Sequence, residues 1–525
     1  MSAWLTLDAL HVEARTRAGA MQRLLGPIDL QLHAGQCLGV VGESGSGKSL
    51  TALSLLGLLP APLQARGRLS VDGAAIELTG TAHARLRGRA LAWVPQDPLA
   101  SLHPLRRVGA QLLETLRTVR GLSAGDADRQ ARALLERVQL PDPDASLRRY
   151  PHQFSGGQRQ RIAIALALAT QPRALIADEP TSALDARIAR DILDLLDRLR
   201  REDGLSLLLI SHDLPLVGAY AQQLLVLKHG DVIERGATAQ VFAAPAQAYT
   251  RELLAADRIA PLLEDDTAPR PPGAPALLVG EGLRMRYPRA LAPALDGVDI
   301  ELHRGEGLAL VGESGSGKST LGRVLLRLLR GAQGRVYLDG VDLASLDAAA
   351  LRTLRARTGV VFQDPYASLD PRLRVAEIVA EPLRIHGERD PAVRRARAGE
   401  LLRAVGLEQA MLDRYPHQFS GGQRQRIAIA RALATQPQLL VCDEAVSALD
   451  AHHRAAILAL LVRLKRERGL ALLFVTHDLA AAAAVAERIA VLEAGRIVES
   501  GATAQVLRAP QHAHTRALLA ARPSA

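Results

Sequence analysis

Aromatic residues, cysteines and long apolar runs are all scarce in this chain. Aromatic side chains make up only 3% of its 525 residues, and it has two cysteines, Cys37 and Cys442. Two cysteines form neither a disulfide framework nor a four-cysteine ligand set, so we expect no iron–sulfur cluster. Both lie within apolar runs, which predicts buried, small hydrophobic side chains.

No uncharged apolar run reaches the roughly 18 residues that a membrane-spanning helix needs. The most apolar stretches, 162–177 and 205–227, are interrupted by Arg173 and Asp213. We therefore predict no spanning helix. The first ten residues contain neither a basic segment nor a long apolar one, so no secretory signal is predicted.

The net charge of the chain is +10, which raises the question of a nucleic-acid or anionic membrane partner. The arginines are scattered, and no basic stripe is interleaved with aromatic residues. We therefore expect no nucleic-acid partner. The hydrophobic content of 48% indicates a well-buried globular protein, and the length indicates two or more domains.

The sequence contains a long internal repeat. VGESGSGKS occupies 41–49 and 311–319, and YPHQFSGGQRQRIAIA occupies 150–165 and 415–430. The copies are separated by 270 and 265 residues, which indicates tandem domains rather than a solenoid. An acidic and proline-rich stretch between them predicts an extended linker. The resulting division is a first domain over 1–260, a linker over 261–276 and a second domain over 277–525.

Each half alternates short apolar runs with longer segments of helical spacing. The runs at 38–42, 174–178 and 205–211 are typical of buried parallel strands. Late in each half, Gly230-Asp231 and Gly495-Arg496 separate strand-like runs and predict hairpin turns. An α/β fold is therefore expected for each half.

Two copies of the pattern G-x-x-x-x-G-K-[ST] follow strand-like runs and precede helix-like segments. The glycines allow backbone N–H groups to curl around phosphates, and the helix N-terminus adds the positive end of its dipole. The lysines would reach the outer phosphates, and the serines after them would bind Mg²⁺. The candidate residues are Gly42, Glu43, Ser44, Gly45, Ser46, Gly47, Lys48 and Ser49, and Gly312, Glu313, Ser314, Gly315, Ser316, Gly317, Lys318, Ser319 and Thr320.

Two acidic pairs, Asp178-Glu179 and Asp443-Glu444, end apolar strand-like runs. A carboxylate at this end of a strand, beside a phosphate loop, can hold Mg²⁺, so both aspartates are candidate metal ligands. The adjacent glutamates can orient and polarise an attacking water. Because a buried acid without a cation is costly, the pairs indicate a catalytic site that hydrolyses a nucleotide by in-line attack of water.

A third motif, SGGQ, completes a resemblance to the ATP-binding-cassette ATPases over nearly the whole chain. A serine followed by two glycines before a helical run is an N-cap that presents backbone donors to an anion. The resemblance implies two tandem P-loop domains, each with a mostly parallel sheet and with helical and antiparallel subdomains. It also implies that the signature of each half covers ATP bound by the other half. The signature residues are Ser155, Gly156, Gly157 and Gln158, and Ser420, Gly421, Gly422 and Gln423.

The resemblance implies roles for further residues and names ATP and Mg²⁺ as cofactors. Gln96 and Gln363 are similar to the glutamine that senses Mg²⁺ and faces a membrane partner. Ser182 to Asp185 and its repeat resemble the family's D-loop. The implied catalytic residues are the glutamates Glu179 and Glu444 and the switch histidines His212 and His477, which would contact the γ-phosphate.

The segments QDPLASLHP at 96–104 and QDPYASLDP at 363–371 resemble the importers of oligopeptides, dipeptides and nickel. Residues 236–256 and 501–521 resemble the C-terminal extension of that group. Fused pairs in it resemble importers of peptides, glutathione or peptide antibiotics. This implies a peripheral ATPase on the cytoplasmic face of a bacterial inner membrane. Its partners would be two integral-membrane permeases and, indirectly, an extracytoplasmic binding protein.

The chain departs from the family pattern at several positions. The extension usually carries His-Pro-Tyr before Thr-Arg, whereas residues 247–249 read QAY and residues 512–514 read HAH. Pro180, after the first catalytic glutamate, is replaced by Ala445 in the second half, which we expect to loosen that turn. Catalysis is still expected there because the glutamate is retained.

Two other classes of twin-cassette protein are alternatives to the importer. Soluble twin-cassette proteins that act on ribosomes carry a long charged helical linker, whereas the linker here is short and proline-rich. DNA-repair ATPases of the same superfamily insert large domains and zinc-binding cysteine sets, and this chain has two cysteines. The importer is therefore the favoured interpretation.

The contact with adenine is expected to differ between the two halves. Tyr287 precedes the second phosphate loop where the family places an adenine-stacking aromatic, and alignment puts Ala14 at the equivalent point of the first half. Stacking a base on an aromatic ring contributes about 1–3 kcal/mol. We therefore predict weaker nucleotide binding at the first site, measured with each site inactivated in turn. Equal affinities would contradict this asymmetry.

Overall fold

The computed structural model describes residues 3–15, 20–78, 80–182, 184–256, 275–288, 290, 292–447 and 449–520. These residues form two compact units, 3–256 and 275–520. The linker expected over 261–276 lies almost entirely outside the described residues, so the proposed domain boundaries remain a prediction.

The first unit contains ten strands and eleven α-helices among its described residues. The strands are β1 (Leu5–Arg15), β2 (Met21–Leu32), β3 (Cys37–Val41), β4 (Leu63–Val71), β5 (Ala74–Ile76), β6 (Leu91–Val94), β7 (Ala174–Asp178), β8 (Ser206–Ser211), β9 (Gln223–Lys228) and β10 (Asp231–Ala237). The helices are α1 (Lys48–Leu56), α2 (Thr81–Ala84), α3 (Pro98–Ser101), α4 (Val108–Arg120), α5 (Ala124–Arg137), α6 (Pro143–Arg148), α7 (Gly156–Leu168), α8 (Ala186–Asp203), α9 (Leu214–Gly218), α10 (Thr238–Ala243) and α11 (Ala248–Ala256).

The described part of the second unit has ten strands and ten α-helices in a similar order. The strands are β11 (Ala276–Met285), β12 (Leu295–His303), β13 (Gly307–Val311), β14 (Gln333–Leu338), β15 (Val341–Asp342), β16 (Thr358–Val361), β17 (Leu439–Asp443), β18 (Ala471–Thr476), β19 (Arg488–Glu493) and β20 (Arg496–Ala502). The helices are α12 (Lys318–Leu325), α13 (Ala348–Arg355), α14 (Pro365–Ser368), α15 (Val375–Ile385), α16 (Pro391–Ala404), α17 (Gly421–Ala432), α18 (Ala451–Arg468), α19 (Leu479–Val485), α20 (Thr503–Arg508) and α21 (Ala513–Ala520).

Each unit contains one six-stranded and one four-stranded sheet. The six-stranded sheets have the orders β10-β9-β3-β8-β7-β6 and β16-β17-β18-β13-β19-β20. Their strands pair in parallel, except for the late hairpins β9–β10 and β19–β20, which are antiparallel. The four-stranded sheets, β2-β1-β4-β5 and β12-β11-β14-β15, are antiparallel. The predicted α/β class, with a mostly parallel core and an antiparallel subdomain, is confirmed.

Burial on both faces explains why the central strands read as continuous apolar runs. Every residue of β3, β7 and β8 is buried, and so is every residue of β13, β17 and β18. Strands covered on both faces by other layers need no polar side. Cys37 and Cys442 are buried in this layer as free thiols, as the sequence predicted, and burial raises the pKa of Cys37 to about 12.

Local capping sets where the helices near the site begin. Ser155 is the N-cap of α7: its hydroxyl accepts a hydrogen bond from Gln158 N at 3.3 Å, and Gln158 Oε1 accepts one from Ser155 N at 3.1 Å. This reciprocal capping satisfies two backbone donors that the helix itself cannot. Asp185 caps α8 through the N–H of Ile188 at 2.9 Å. The helix start expected at the first SGGQ motif is therefore present.

None of the helices in the described ranges combines the length and hydrophobicity that a bilayer crossing requires.

Candidate active site

The first phosphate loop, residues 42–47, joins buried β3 to α1, and its conformation requires glycine. Gly42 has φ 154° and Gly47 has φ 104°. A Cβ on Gly42 would lie 2.2 Å from the carbonyl oxygen of Leu227, and one on Gly47 would lie 2.3 Å from Leu25 Cδ1. Side chains at these positions would force the loop apart, so the tight backbone curve depends on both glycines.

The lysine that follows each phosphate loop donates hydrogen bonds to carbonyl oxygens of that loop. Lys48 is 5% exposed, and its Nζ donates to the carbonyl oxygens of Gly42 and Glu43 at 2.8 Å each. In the second unit Lys318 Nζ donates at 2.7 Å to the carbonyls of Gly312 and Glu313. The two ammonium groups therefore lie inside the curve of their loops, where phosphate oxygens would bind.

A buried hydroxyl in each loop is consistent with a phosphate ligand. Among the described residues, Ser46 Oγ and Ser316 Oγ are fully buried without a hydrogen-bond partner. A buried hydroxyl left without a partner costs free energy. An anion within the loop would supply the acceptor, so these hydroxyls and the lysine-centred curve fit the phosphates of ATP.

A serine and an aspartate meet at the edge of each loop. Ser49 Oγ donates to Asp178 Oδ1 at 3.2 Å, and Ser319 Oγ donates to Asp443 Oδ1 at 2.8 Å. Hydroxyl and carboxylate oxygens are the hard ligands that Mg²⁺ prefers. The two residues thus fit Mg²⁺, and the aspartate lies at the end of the strand as the sequence indicated.

Burial perturbs the titration of these aspartates. Asp178 and Asp443 are 4% and 7% exposed, and desolvation raises the pKa of both carboxyls. The serine hydroxyls and the loop lysines oppose this rise, while each neighbouring glutamate adds to it. A buried carboxylate with a raised pKa has too little positive charge around it, which a divalent cation would supply.

The glutamates after these aspartates lie in a backbone conformation that is uncommon for non-glycine residues. Glu179 has φ 46° and Glu444 has φ 49°. Left-handed backbone at a non-glycine residue costs free energy and is found at functional sites. Sequence reasoning did not anticipate this feature, because no residue-type signal marks a strained glutamate.

Three side chains converge on Glu179. Gln96 Nε2 donates to Glu179 Oε2 at 2.9 Å, His212 Nδ1 lies 3.3 Å from the same oxygen, and Lys48 Nζ lies 3.8 Å from Oε1. Gln96, Glu179 and His212 each follow a separate parallel strand of the six-stranded sheet, and these strands end at the same edge. Lys48 begins α1, after the loop that follows β3. The structure therefore brings together the glutamine, glutamate, histidine and lysine that the sequence selected separately.

The second unit repeats the cluster around Glu444. Gln363 Nε2 donates to Glu444 Oε2 at 2.8 Å, and His477 Nδ1 lies 3.8 Å from Oε1. Burial on its own would raise the pKa of Glu444, but the interactions with His477 and Lys318 outweigh it and hold the pKa below its ordinary value. Glu444 is therefore ionised near neutral pH, the form that can accept a proton from water.

The replacement of Pro180 by Ala445 leaves the backbone hydrogen bond of the turn in place. In the first unit Ser182 N donates to the carbonyl of Glu179 at 3.1 Å, and in the second Ser447 N donates to the carbonyl of Glu444 at 3.2 Å. Ser182 Oγ also donates to the carbonyl of Gln96 at 3.3 Å, which links the D-loop to the glutamine.

The residues predicted to contact adenine differ between the units, as the alignment indicated. Tyr287 is 38% exposed, and its hydroxyl lies 3.2 Å from Thr320 Oγ1, just past the phosphate loop. Strand register pairs Met285 with Leu295 and Val12 with Leu25. Because Leu25 and Leu295 precede their phosphate loops by the same number of residues, Ala14 is the positional equivalent of Tyr287.

Comparison with known protein families identifies the nucleotide-binding family of this chain. The family model described as "ABC transporter" matches residues 25–182 and 295–447, which include both phosphate loops, both signatures and both strand-end glutamates. The chain belongs to the ABC transporter family. It is accordingly an ATP-binding cassette ATPase with two cassettes.

Several curated relatives match along most of the chain. The glutathione import ATP-binding protein GsiA of Salmonella paratyphi A is 42% identical over 95% of this chain and 86% of the relative. GsiA of Escherichia coli O6:H1 is 42% identical over 99% of this chain and 89% of its own length. A solved dimeric ATP-binding cassette bound to ADP and Pi is 34% identical, covering 43% of this chain and 98% of that one, with a TM-score of 0.40.

The substitution Asp178→Asn tests the cost of burying this carboxylate. Because the pKa of Asp178 is raised in the folded protein, the folded state binds more protons than the unfolded chain between the ordinary pKa and the raised one. Stability therefore falls as the pH rises through that window, and the penalty persists above it. Without metal or nucleotide, we expect D178N to melt above wild type at about pH 7 and to lose this advantage near pH 4, measured by scanning calorimetry.

An exposed aspartate, Asp72, provides the control, because its pKa is shifted in the opposite direction from that of Asp178. Its hydrogen bond with Arg173 lowers the pKa of Asp72, so the stabilisation from Asp72 is present above its ordinary pKa and is lost in acid. Asp72→Asn should therefore melt below wild type near neutral pH, or at most equal it. A D178N protein that melts below wild type at about pH 7 in chelator would show that burial of Asp178 is not destabilising.

Proposed function

We propose that this chain is the ATP-binding and ATP-hydrolysing subunit of a membrane importer for peptides or related small solutes. The observation that carries the proposal is the 42% identity to glutathione import ATP-binding proteins, which extends through both cassettes. The matched length is nearly the whole chain, and the glutamine-loop and signature sequences of this chain resemble those of the peptide importer group. The cargo class is inferred from these relatives.

The phosphate loops would bind the nucleotide. In the first unit, backbone N–H groups of the phosphate loop and the ammonium of Lys48 would hold the phosphates. Ser49, Asp178 and Gln96 would hold Mg²⁺, with Ser319, Asp443 and Gln363 in the same roles in the second unit. Bound Mg²⁺ neutralises charge that develops on the phosphate oxygens during transfer.

The glutamates Glu179 and Glu444, with the side chains that contact them, would carry out hydrolysis. Glu179 would orient a water for in-line attack and accept its proton, while Gln96 and His212 hold the carboxylate in place, as their contacts at 2.9 and 3.3 Å indicate. The histidine would also contact the γ-phosphate. Glu444, Gln363 and His477 would act in the same way in the second cassette.

Each site is proposed to be composite. Ser420, Gly421, Gly422 and Gln423 would cover the nucleotide held by Lys48, and Ser155, Gly156, Gly157 and Gln158 would cover the one held by Lys318. The serine-capped starts of α7 and α17 support a role of SGGQ in anion binding, since a helix N-terminus presents backbone N–H groups and the positive end of its dipole. Binding of ATP would close the two cassettes on each other, and hydrolysis would reopen them.

The partners follow from the importer function. Two integral-membrane permease subunits would convert closure of the cassettes into alternating access, and an extracytoplasmic binding protein would deliver the solute to them. The chain would sit peripherally on the cytoplasmic face of the inner membrane, with the glutamine loops around Gln96 and Gln363 toward the permeases.

The double substitution Glu179→Gln with Glu444→Gln tests the assigned catalytic roles. Glutamine keeps the size and hydrogen-bonding capacity but cannot accept a proton, so ATP binding should persist while turnover falls by about 100-fold or more. Binding is measured by equilibrium titration and turnover by phosphate release. The matched control is Glu202→Gln with Glu467→Gln, the same change on exposed positions of α8 and α18, which should leave turnover unchanged. Near-normal turnover in the first double variant would refute the roles.

Co-purification from the native host tests the transporter assignment. The tagged chain, extracted gently from membranes, should bring down two integral-membrane permeases identified by mass spectrometry. Ribosomal proteins in their place would favour a soluble twin-cassette ATPase acting on the ribosome, and only the ATPase chemistry would then stand.

A further inference from the structure

The last helix of the first unit contacts the phosphate loop through one tyrosine. The hydroxyl of Tyr249, in α11, accepts a hydrogen bond from the backbone N–H of Glu43, with 3.2 Å between the two heavy atoms. Glu43 is the second residue of the loop whose N–H groups and lysine bind phosphate. The C-terminal extension, which none of the catalytic roles above involves, thus contacts the nucleotide site directly.

Tyr249 is held firmly in its position. Its side chain is 7% exposed and packs within the large apolar cluster of the first unit. The ammonium of Lys228, the last residue of β9, lies 4.2 Å from the centre of its ring, within the range of a cation–π interaction. A hydroxyl carried by so constrained a ring has few alternative positions, and it can therefore hold the loop backbone in place.

The start of α11 is anchored to the sheet independently of Tyr249. The carboxylate of Glu234, in β10, accepts hydrogen bonds from the N–H groups of Ala246 and Gln247 at 2.8 and 3.2 Å. Arg251 then donates to the carbonyl of Pro245 at 2.7 Å. These contacts place the helix relative to β9 and β10, and hence place the tyrosine against the loop.

The second unit has the same hydrogen bonds at the start of its last helix, but a different residue stands at the position of Tyr249. Glu499 accepts hydrogen bonds from the N–H groups of Gln511 and His512 at 2.8 and 3.0 Å, as Glu234 does in the first unit. The positions of Lys228 and Tyr249 are taken by Glu493 and His514, whose Nδ1 lies 3.2 Å from Glu493 Oε1. The phenolic hydroxyl of the first unit is thus replaced by an imidazole engaged with a carboxylate.

We propose that Tyr249 is a positioning residue for the first ATP site, holding the backbone of Glu43 in the conformation that binds phosphate. This inference rests on the proposed assignment of the phosphate loops as the nucleotide sites. It gives the C-terminal extension of the first cassette a function in ATP binding. This role is proposed for the first site only, because the second cassette carries His514 at the position of Tyr249.

The test compares Tyr249→Phe with Tyr220→Phe in the full-length chain. Both changes remove one hydroxyl, but that of Tyr220 donates to Asp194 at 2.7 Å, away from the phosphate loop. Nucleotide is confined to the first site by Lys318→Ala, and the dissociation constant of a fluorescent ADP analogue with Mg²⁺ is measured. Loss of one hydrogen bond to the loop should weaken binding by about 3- to 10-fold in Y249F and leave Y220F unchanged.

Two further readouts separate positioning from a general loss of structure. With Lys48→Ala, which confines the analogue to the second site, Y249F should bind as tightly as its parent. In the chain without lysine substitutions, Y249F should raise the KM for ATP while kcat stays within about twofold and the unfolding midpoint matches that of Y220F. Equal weakening at both sites, or a lowered midpoint that accounts for the loss, would overturn the proposal.

The doubly substituted Lys48→Ala Lys318→Ala chain distinguishes the two levels of inference. If it still binds the analogue, the phosphate-loop assignment fails, and the role of Tyr249 fails with it. If it does not bind and Y249F matches Y220F at the first site, only the role of Tyr249 is overturned.

Discussion

A buried positive charge inside each phosphate loop is the constraint on which the rest of each cassette depends. Lys48 is almost fully buried and is held by two carbonyls of its own loop. An ammonium can be kept there only if acidic groups compensate its charge. The compensation comes from Glu179, 3.8 Å away, which directly follows the buried Asp178. The strand that ends in this acidic pair must therefore lie close to the loop strand, and in the sheet it is separated from it only by β8.

The same arrangement accounts for the strand order. The loop follows β3, the acidic pair ends β7 and the histidine follows β8, which lies between them and pairs in parallel with both. Parallel strands bring all three carboxyl ends to one edge of the sheet. Gln96, which follows β6 on the far side of β7, completes the cluster with its 2.9 Å contact to Glu179. The layers that bury both faces of the sheet exclude water from these strands, but leave that edge open to a ligand.

Two cassettes with the same motifs and strand order in one chain make their differences informative. The glutamine hydrogen bonds to Glu179 and Glu444 are 2.9 and 2.8 Å long. The φ angles of the two glutamates are 46° and 49°, despite the replacement of Pro180 by Ala445. The differences lie at the margin of each site, on the adenine side at Tyr287 and in the C-terminal extension at Tyr249. Duplication has thus kept the chemical centre and allowed its supports to diverge, which is where a functional asymmetry between the two ATP sites would originate.

The sequence by itself determined the fold class, the two phosphate loops and the acidic strand ends, because these depend on local chemistry. Glycines at Gly42 and Gly47 are needed by the loop backbone, apolar runs mark strands buried on both faces, and SGGQ carries its own helix cap. Only the tertiary structure decided that Gln96 and His212 share one carboxylate, that Glu179 and Glu444 adopt left-handed backbone, and that Tyr249 reaches Glu43. These contacts join residues from 33 to 206 positions apart, and no local pattern encodes the packing that closes such distances.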